Sequence, residues 1–318
     1  MAAGKLMPFE GRKVGLALGS GAARGWAHIG VIHALAEEGI HPDVVAGSSI
    51  GAVVGAAYAS DRTDRFEDWV RGLDWQSIAG YFDFALRGGL IKARKVFDAL
   101  EREFAGGIIE DLPRPYAAVA TDLATGNEVW LREGSLYDAV RASVALPGMV
   151  TPASLNGRWL VDGGLVNPVP VSVCRALGAD LVIAVDLNTT LMEKRSVEKL
   201  GRAASGASRA IDAVEEAAAG APDTFQGILQ NLATDARKRL GLDEAGERGA
   251  APPSIYNVIA NSVNIMQIRI TRSRMAGDPP DILVAPRLAD FGLLDFDRAD
   301  EAIEEGKRAT ERVLAAHA

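Results

Sequence analysis

Short apolar segments alternate with longer amphipathic segments along most of this chain. The short segments have the pattern of buried strands, and apolar residues at helical spacing follow several of them. Five such strands are predicted, at Lys13–Leu18, Val44–Ala46, Tyr116–Asp122, Leu181–Val185 and Asp281–Ala285. Strands that alternate with helices form parallel sheets with helices on both faces. The pattern therefore predicts an α/β fold of three layers, with a mainly parallel central sheet between helices.

Three regions depart from this alternation. Asn127–Leu131 and Arg158–Val161 are predicted as added strands with an antiparallel orientation. Residues 191–254 are rich in Ala, Gly and charged residues, and we interpret them as an insertion of helices and loops. An insertion of this length is a candidate lid or oligomer contact.

The segment after this insertion has apolar residues at helical spacing. Within Ile255–Met275, the residues Ile259, Val263, Met266 and Ile270 are three or four positions apart. This spacing predicts an amphipathic helix that packs these residues on the core. A last helix is predicted at Asp297–Ala316, and we find no internal repeat. We interpret residues 10–318 as a single α/β domain that contains the insertion.

The second strand runs directly into Gly47-Ser48-Ser49-Ile50-Gly51 and then into an apolar helix pattern. In a G-x-S-x-G elbow, the two glycines let a strand reverse into a helix so tightly that the serine hydroxyl projects into open space. The helix N-terminus then directs backbone N–H groups at the reacting group. Ser49 is therefore a candidate nucleophile.

Two other interpretations of this segment stay open at this point. Val44–Ser60 is a run of 17 uncharged residues, which raises the question of a membrane span with Gly47, Gly51 and Gly55 as a packing face. A span needs about 20 residues, and no aromatic belt or basic cluster flanks this run. The other interpretation is a buried strand and helix with an inert serine. A random order of the same residues would contain the motif roughly 0.17 times, so a chance match has to be considered.

A loop of small residues, Gly19-Ser20-Gly21-Ala22-Ala23-Arg24-Gly25, follows the first strand and precedes a helical pattern. A dinucleotide-binding fingerprint needs glycine where this chain has Arg24, and a Walker loop needs a Gly-Lys-Ser/Thr ending. Two interpretations remain: a tight structural turn, or a turn whose N–H groups hold an oxyanion beside a helix N-terminus.

Asp162 lies at the end of a strand pattern and before Gly163 and Gly164. Most aspartates before glycine only form turns. A serine hydrolase needs a base, however, and the order Ser, acid, His would require His317, the penultimate residue. A conventional triad is therefore improbable. A partly desolvated carboxylate within hydrogen-bond reach can take the serine proton directly.

Together and in this order, the three motifs resemble the patatin-like phospholipase family. Its pattern is a glycine-rich loop ending in x-Arg/Lys-Gly, then G-x-S-x-G, then Asp-Gly-Gly/Ala. This chain has Ala23-Arg24-Gly25, Gly47-Ser48-Ser49-Ile50-Gly51 and Asp162-Gly163-Gly164. The resemblance continues in Arg141–Gly148, Asn167–Pro170 and Leu181–Asp186, and returns in Asp281–Pro286.

The resemblance implies a patatin-like fold, a Ser–Asp dyad and hydrolysis of lipid acyl esters without a metal or cofactor. By position, Ser49 is the nucleophile and Asp162 the general base and then acid. The implied supporting residues are the oxyanion hole (Gly21, Ala22, Ala23), the loop support (Gly19, Arg24, Gly25), the elbow glycines (Gly47, Gly51) and the acid-motif glycines (Gly163, Gly164). Where the family loop usually has three glycines, this chain has Ser20, Gly21 and Ala22, so a positive φ would strain Ala22.

Composition limits the alternatives. The 318 residues are 48% hydrophobic and 24% charged, as in ordinary globular proteins, and the net charge of −8 argues against nucleic-acid binding. Cys174 is the only cysteine, and no secretory signal pattern is visible, so we expect a cytoplasmic protein. Buried packing is the expected role of Cys174.

Aromatic residues between Trp69 and Phe84 precede the basic residues Lys92, Arg94 and Lys95. They could cover an acyl-chain pocket or make transient, peripheral contact with a membrane, or they could form a small satellite core. The chain is also a candidate homo-oligomer. Three functions remain: a hydrolase of phospholipids, lysophospholipids or fatty-acyl esters, a lipid-sensing or regulatory protein with a weakly active pocket, and an acyl transferase.

Overall fold

The computed structural model describes residues 9, 11–73, 83–84, 91–92, 106–189 and 255–317. The predicted insertion at residues 191–254 lies outside the described residues. Most of the aromatic and basic residues between Trp69 and Lys95 also lie outside them. The roles suggested for both segments therefore stay predictions.

Strands and helices follow one another in the alternating order that the sequence predicts. The strands are β1 (Val14–Leu18), β2 (Val44–Ser48), β3 (Asp83–Phe84), β4 (Ile91–Lys92), β5 (Tyr116–Asp122), β6 (Glu128–Leu131), β7 (Ala153–Leu155), β8 (Arg158–Asp162), β9 (Leu181–Val185) and β10 (Ile282–Val284). The α-helices are α1 (Ala27–Glu37), α2 (Ile50–Ala59), α3 (Thr63–Arg71), α4 (Leu136–Ser143), α5 (Val171–Ala176), α6 (Ile255–Gly277) and α7 (Ala299–His317).

Eight strands of the described residues form one sheet in the order β10-β9-β1-β2-β5-β8-β7, with β6 paired to β5. The neighbours from β10 to β5 are all parallel. The pairs β5–β6, β5–β8 and β7–β8 are antiparallel. β3 and β4 form a separate antiparallel pair. A mainly parallel sheet with added antiparallel strands is therefore confirmed, whereas the sequence did not predict β7.

Helices cover both faces of the parallel strands. Because successive strand residues point to opposite faces, Leu16 and Ile183 pack in one cluster with residues of α1, α2 and α7. Ala17 and Ala46 point the other way and pack with α5, including the buried Cys174. The fold is therefore the predicted three-layer α/β arrangement, with small alanines under the shorter helix.

The register of β5 brings two strand ends together. Ala118 pairs with Gly47 of β2 on one side and with Leu131 of β6 on the other. Ala120 pairs with Asp162 of β8 on the side away from β6. β2 and β8 therefore lie along the same edge of β5, run in opposite directions, and end against each other. The chain segments that follow both strands meet at this point.

The run of 17 uncharged residues that resembled a membrane span divides between β2 and the ten-residue helix α2. The five residues of β2 pair with β1 and β5, and α2 is buried along its length. In the described part of the chain, no helix combines the length and hydropathy of a membrane span.

Helix α6 forms where the sequence predicts a helix, but it presents a different face to the core. Met266 is 48% exposed, and Val263 and Ile270 are only partly buried. Asn264 and Gln267 are 4% and 6% exposed. The prediction that the apolar face packs on the core is therefore wrong. The physical reason is that the buried side of this part of the helix contacts Arg24 and Asn188, two polar side chains that bond the loop after β1.

Candidate active site

Ser49 occupies a strained elbow between β2 and α2. Its φ is 56° and its ψ is −125°, in a region that residues other than glycine rarely adopt. Its backbone N–H donates to Ser143 Oγ at 2.9 Å, and Ser143 is fully buried at the end of α4. The sequence analysis assigned no role to Ser143, although the segment that contains it was part of the family resemblance. This hydroxyl helps to hold the elbow in its strained conformation.

Gly47 and Gly51 allow the elbow to approach its neighbours closely. A Cβ on Gly47 would stand less than 3.0 Å from backbone atoms of Gly51 and Ala52. A Cβ on Gly51 would stand equally close to the carbonyl oxygen of Leu18. The absence of side chains at both positions therefore lets the first turn of α2 lie directly against the end of β1.

The side chains of Ser49 and Asp162 form a hydrogen bond where β2 and β8 meet. Ser49 Oγ donates to Asp162 Oδ2 at 2.6 Å. Asp162 is 1% exposed, and burial raises the pKa of its carboxyl from 3.8 to about 6, against the opposing effects of hydrogen bonds from Ser49 and the Gly164 amide. A carboxylate with a pKa close to neutral pH is suited to exchange a proton with the serine hydroxyl.

The acid is held from several directions. Asp162 Oδ1 accepts the Gly164 N–H at 2.7 Å, and Thr121 Oγ1 donates to the Asp162 carbonyl at 2.8 Å. Gly163 faces the backbone of Val119, where a Cβ would stand less than 3.0 Å from the carbonyl oxygen. The Asp-Gly-Gly sequence thus combines close packing on β5 with a backbone donor for the carboxylate.

Several N–H groups of the loop after β1 donate to backbone carbonyl groups elsewhere in the fold. Gly19 N donates to Val185 O at 3.1 Å, and Ser20 N donates to Pro168 O at 2.9 Å. Ala23 N donates to Leu293 O at 3.2 Å. The Ala23 N–H therefore already has an acceptor in this structure, which argues against its predicted role as an oxyanion donor. Among the described residues, the Gly21 and Ala22 N–H groups donate no hydrogen bond.

Ala22 has a φ of 51°, so the strain that a non-glycine residue would meet in this loop is present. The left-handed conformation costs an L-residue about 1–2 kcal/mol. Gly21 is kept small by Leu187, since a Cβ at Gly21 would stand 2.6 Å from Leu187 Cδ1. Gly19 is similarly confined, because a Cβ there would stand 2.6 Å from Val185 O. The loop is therefore closely packed in spite of its small residues.

Arg24 is buried beneath this loop. Its Nε donates to Gly21 O at 3.0 Å, and its Nη2 donates to Asn264 Oδ1 of α6 at 3.2 Å. Gly25 packs on Ile50, the residue after the nucleophile, with no room for a side chain. Arg24 and Gly25 thus connect the loop to α6 and to the elbow.

A histidine of α1, His28, lies under the same loop. His28 Nε2 is 2.8 Å from Gly19 O, and burial lowers the pKa of its imidazole to about 4. The neutral ring must donate through Nε2, because a carbonyl oxygen can only accept. His28 thus supports the loop and does not contact Ser49 Oγ, whose hydrogen bond is to Asp162.

Several known proteins are similar to this chain. The family model described as patatin-like phospholipase matches residues 16–175. An uncharacterized NTE family protein of Mycobacterium tuberculosis is 35% identical over 96% of this chain and 92% of its own length. Patatin-like phospholipase domain-containing protein 6 of Mus musculus is 35% identical over 56% of this chain and 14% of its own length.

Among solved structures, VipD from Legionella pneumophila matches with a TM-score of 0.47 and 14% identity, over 96% of this chain and 67% of that chain. The family match and the full-length relative establish the class: this chain belongs to the patatin-like phospholipase family. Members of this family are generally lipid acyl hydrolases, and a lipid substrate is implied.

Proposed function

We propose that this protein is a serine acyl-ester hydrolase that uses Ser49 and Asp162 as a dyad on lipid esters. The observation that carries the proposal is the 2.6 Å hydrogen bond from Ser49 Oγ to a buried carboxylate whose pKa is raised to about 6. Family membership supports the lipid substrate class. Phospholipids, lysophospholipids and simpler fatty-acyl esters all contain the ester that this chemistry requires.

The first half of the reaction forms an acyl-enzyme. Asp162 accepts the hydroxyl proton while Ser49 Oγ attacks the ester carbonyl carbon, and the carbonyl oxygen becomes an oxyanion. The N–H groups of Gly21 and Ala22 are the proposed oxyanion donors, since no other acceptor occupies them among the described residues. The C–O bond to the alcohol then breaks, and Asp162 returns its proton to the departing oxygen.

The second half restores the enzyme with water. Asp162 takes a proton from the water as its oxygen attacks the acyl carbon, and the same two N–H groups stabilise the second oxyanion. Collapse of this intermediate breaks the bond to Ser49 Oγ, which recovers the proton from Asp162. At pH 7 a carboxyl with a pKa of about 6 is ionised in roughly nine molecules of ten, so the base is available.

A lipid-sensing or regulatory protein with a weakly active pocket is the alternative. Its support is the oxyanion loop, where Ala22 is strained and Ala23 N donates to Leu293 O. Two donors remain instead of three, and the loss of one donor typically costs about 10² to 10³ in rate.

Transfer of the acyl group to an alcohol shares the same acyl-enzyme, and product analysis with added glycerol separates it from hydrolysis. Cytoplasmic location, peripheral membrane contact and homo-oligomer formation stay predictions.

Labelling with a long-chain fluorophosphonate, followed by intact-mass measurement, tests the proposal. We expect one adduct on the wild-type protein, none on Ser49→Ala, and a sharply slower reaction for Asp162→Asn. Ser48→Ala is the matched control, because Ser48 is the adjacent serine and its buried Oγ makes no hydrogen bond within the described residues. A folded wild-type protein that gives no adduct would refute the dyad and favour the alternative.

A further inference from the structure

The inner face of α6 is largely polar, although it also buries Ile268. Asn264, Gln267 and Thr271 lie three and four positions apart, and all three side chains are buried. Burial of an amide costs free energy unless its polar atoms are bonded. Two of these residues satisfy that requirement through side chains that reach the loop after β1.

Asn264 acts on the Gly21 carbonyl through Arg24. Asn264 Oδ1 accepts from Arg24 Nη2 at 3.2 Å, while Arg24 Nε donates to Gly21 O at 3.0 Å. The carbonyl of Gly21 and the N–H of Ala22 belong to one planar, trans peptide group. Fixing the direction of this carbonyl therefore fixes the direction of the Ala22 N–H, one of the two proposed oxyanion donors.

Gln267 acts in the same way on the preceding peptide group. Gln267 Oε1 accepts from Asn188 Nδ2 at 3.3 Å, and the same Nδ2 donates to Ser20 O at 3.0 Å. The Ser20 carbonyl shares its plane with the N–H of Gly21, the other proposed donor. In the peptide group of each proposed oxyanion N–H, the carbonyl oxygen thus accepts from a buried side chain, Arg24 or Asn188. Both of these side chains are in turn bonded to α6.

We propose that Asn264 and Gln267 are positioning residues that, through Arg24 and Asn188, orient the two peptide groups of the oxyanion hole. This inference rests on the proposed hydrolase function. It also accounts for the polar inner face of α6, which the apolar periodicity of the sequence did not indicate. The helix thereby determines the geometry of a loop that is more than two hundred residues away in the chain.

The test compares Asn264→Leu and Gln267→Met with Thr271→Val. Asn264→Leu and Gln267→Met keep the approximate side-chain volume and remove the acceptor oxygen. Thr271 Oγ1 has no hydrogen bond within the described residues, so Thr271→Val is the matched control. We expect kcat to fall about tenfold to a hundredfold in the two variants, because displaced donors stabilise the oxyanion less well, with KM within about twofold. Asn264→Asp, which keeps the acceptor, is expected to retain most of kcat.

Wild-type kcat in folded Asn264→Leu and Gln267→Met would overturn the inference, as would an equal loss in Thr271→Val. If Asn264→Leu does not fold, Asn264→Ser replaces it, since a serine is too short to accept from Arg24. Amide hydrogen exchange of residues 19–25 in a Ser49→Ala background adds a readout without catalysis. We expect faster exchange for Asn264→Leu than for Thr271→Val, and equal exchange would contradict the inference. Failure of the proposed function can be distinguished from failure of this inference, because the wild-type protein would then form no fluorophosphonate adduct at Ser49.

Discussion

Replacement of Asp162 by asparagine is expected to stabilise the fold at neutral pH while it removes the proposed base. Asp162 is buried, and its pKa is about 6 in the folded protein against 3.8 for the free side chain. The folded state therefore binds a proton more tightly than the unfolded state does. Asparagine is nearly isosteric, keeps an oxygen that can accept the Gly164 N–H, and carries no charge to desolvate.

The sign and size of the effect follow from proton linkage. A pKa raised from 3.8 to about 6 corresponds to about 3 kcal/mol of preference for the neutral carboxyl. This contribution to stability is fully present below pH 3.8 and is lost progressively as the pH rises through about 6. Above that range the wild-type protein bears the cost of an ionised, buried carboxylate. Asp162→Asn removes this cost, so we expect a gain of about 1–3 kcal/mol at neutral pH.

Urea unfolding of both proteins at several pH values between about 4 and 8 measures the effect. The difference in free energy of unfolding between Asp162→Asn and wild type is the informative quantity, because it cancels the titration of all other carboxyl groups. We expect this difference to increase with pH and to level off above about pH 7. Asp162→Glu, which keeps the ionisable group, serves as a control.

A difference that stays constant with pH would refute the reasoning, since it would mean that Asp162 has the same pKa in the folded and unfolded states. A difference that falls as the pH rises would also refute it. That result would place the pKa of the folded state below 3.8 and show that hydrogen bonds from the serine hydroxyl and the glycine amide outweigh desolvation.

Four further predictions follow from the site. Ser143→Ala is expected to slow fluorophosphonate labelling about tenfold because the backbone N–H of Ser49 loses its acceptor. Ser143→Thr keeps the hydroxyl and is the control, and equal labelling rates for the two variants would contradict the prediction. Ala22→Gly relieves a left-handed alanine, so we expect unfolding free energy to rise by up to about 1 kcal/mol without slower labelling. Gly51→Ala should lower Tm far more than Gly55→Ala, whose Cβ meets only side chains at 3.0 Å or more. The kcat/KM profile should fall on the acid side with an apparent pKa of about 6, from Asp162.

Local patterns predicted much of the fold and part of the site. The five parallel strands lie close to their predicted positions because apolar runs between helical patterns are read from neighbouring residues alone. Ser49 and Asp162 were singled out because glycines beside them indicate tight turns. Ala23 was assigned to the oxyanion hole by its place in the motif. Its N–H instead meets Leu293 O, an acceptor from a loop that is distant in the chain and has no signal in the motif.

The sequence by itself determined the class of fold, the order of the five parallel strands along the chain and the two residue types that can form a dyad. Only the tertiary structure decided that β2 and β8 end against each other on one edge of β5, which brings Ser49 and Asp162 within 2.6 Å. It also decided that α6 turns its amides inward. Periodicity reports which residues share a face of a helix, but the surface beneath decides which face is buried. Here that surface holds Arg24 and Asn188, which donate to carbonyl groups of the loop after β1, and the amide oxygens of α6 accept from both side chains.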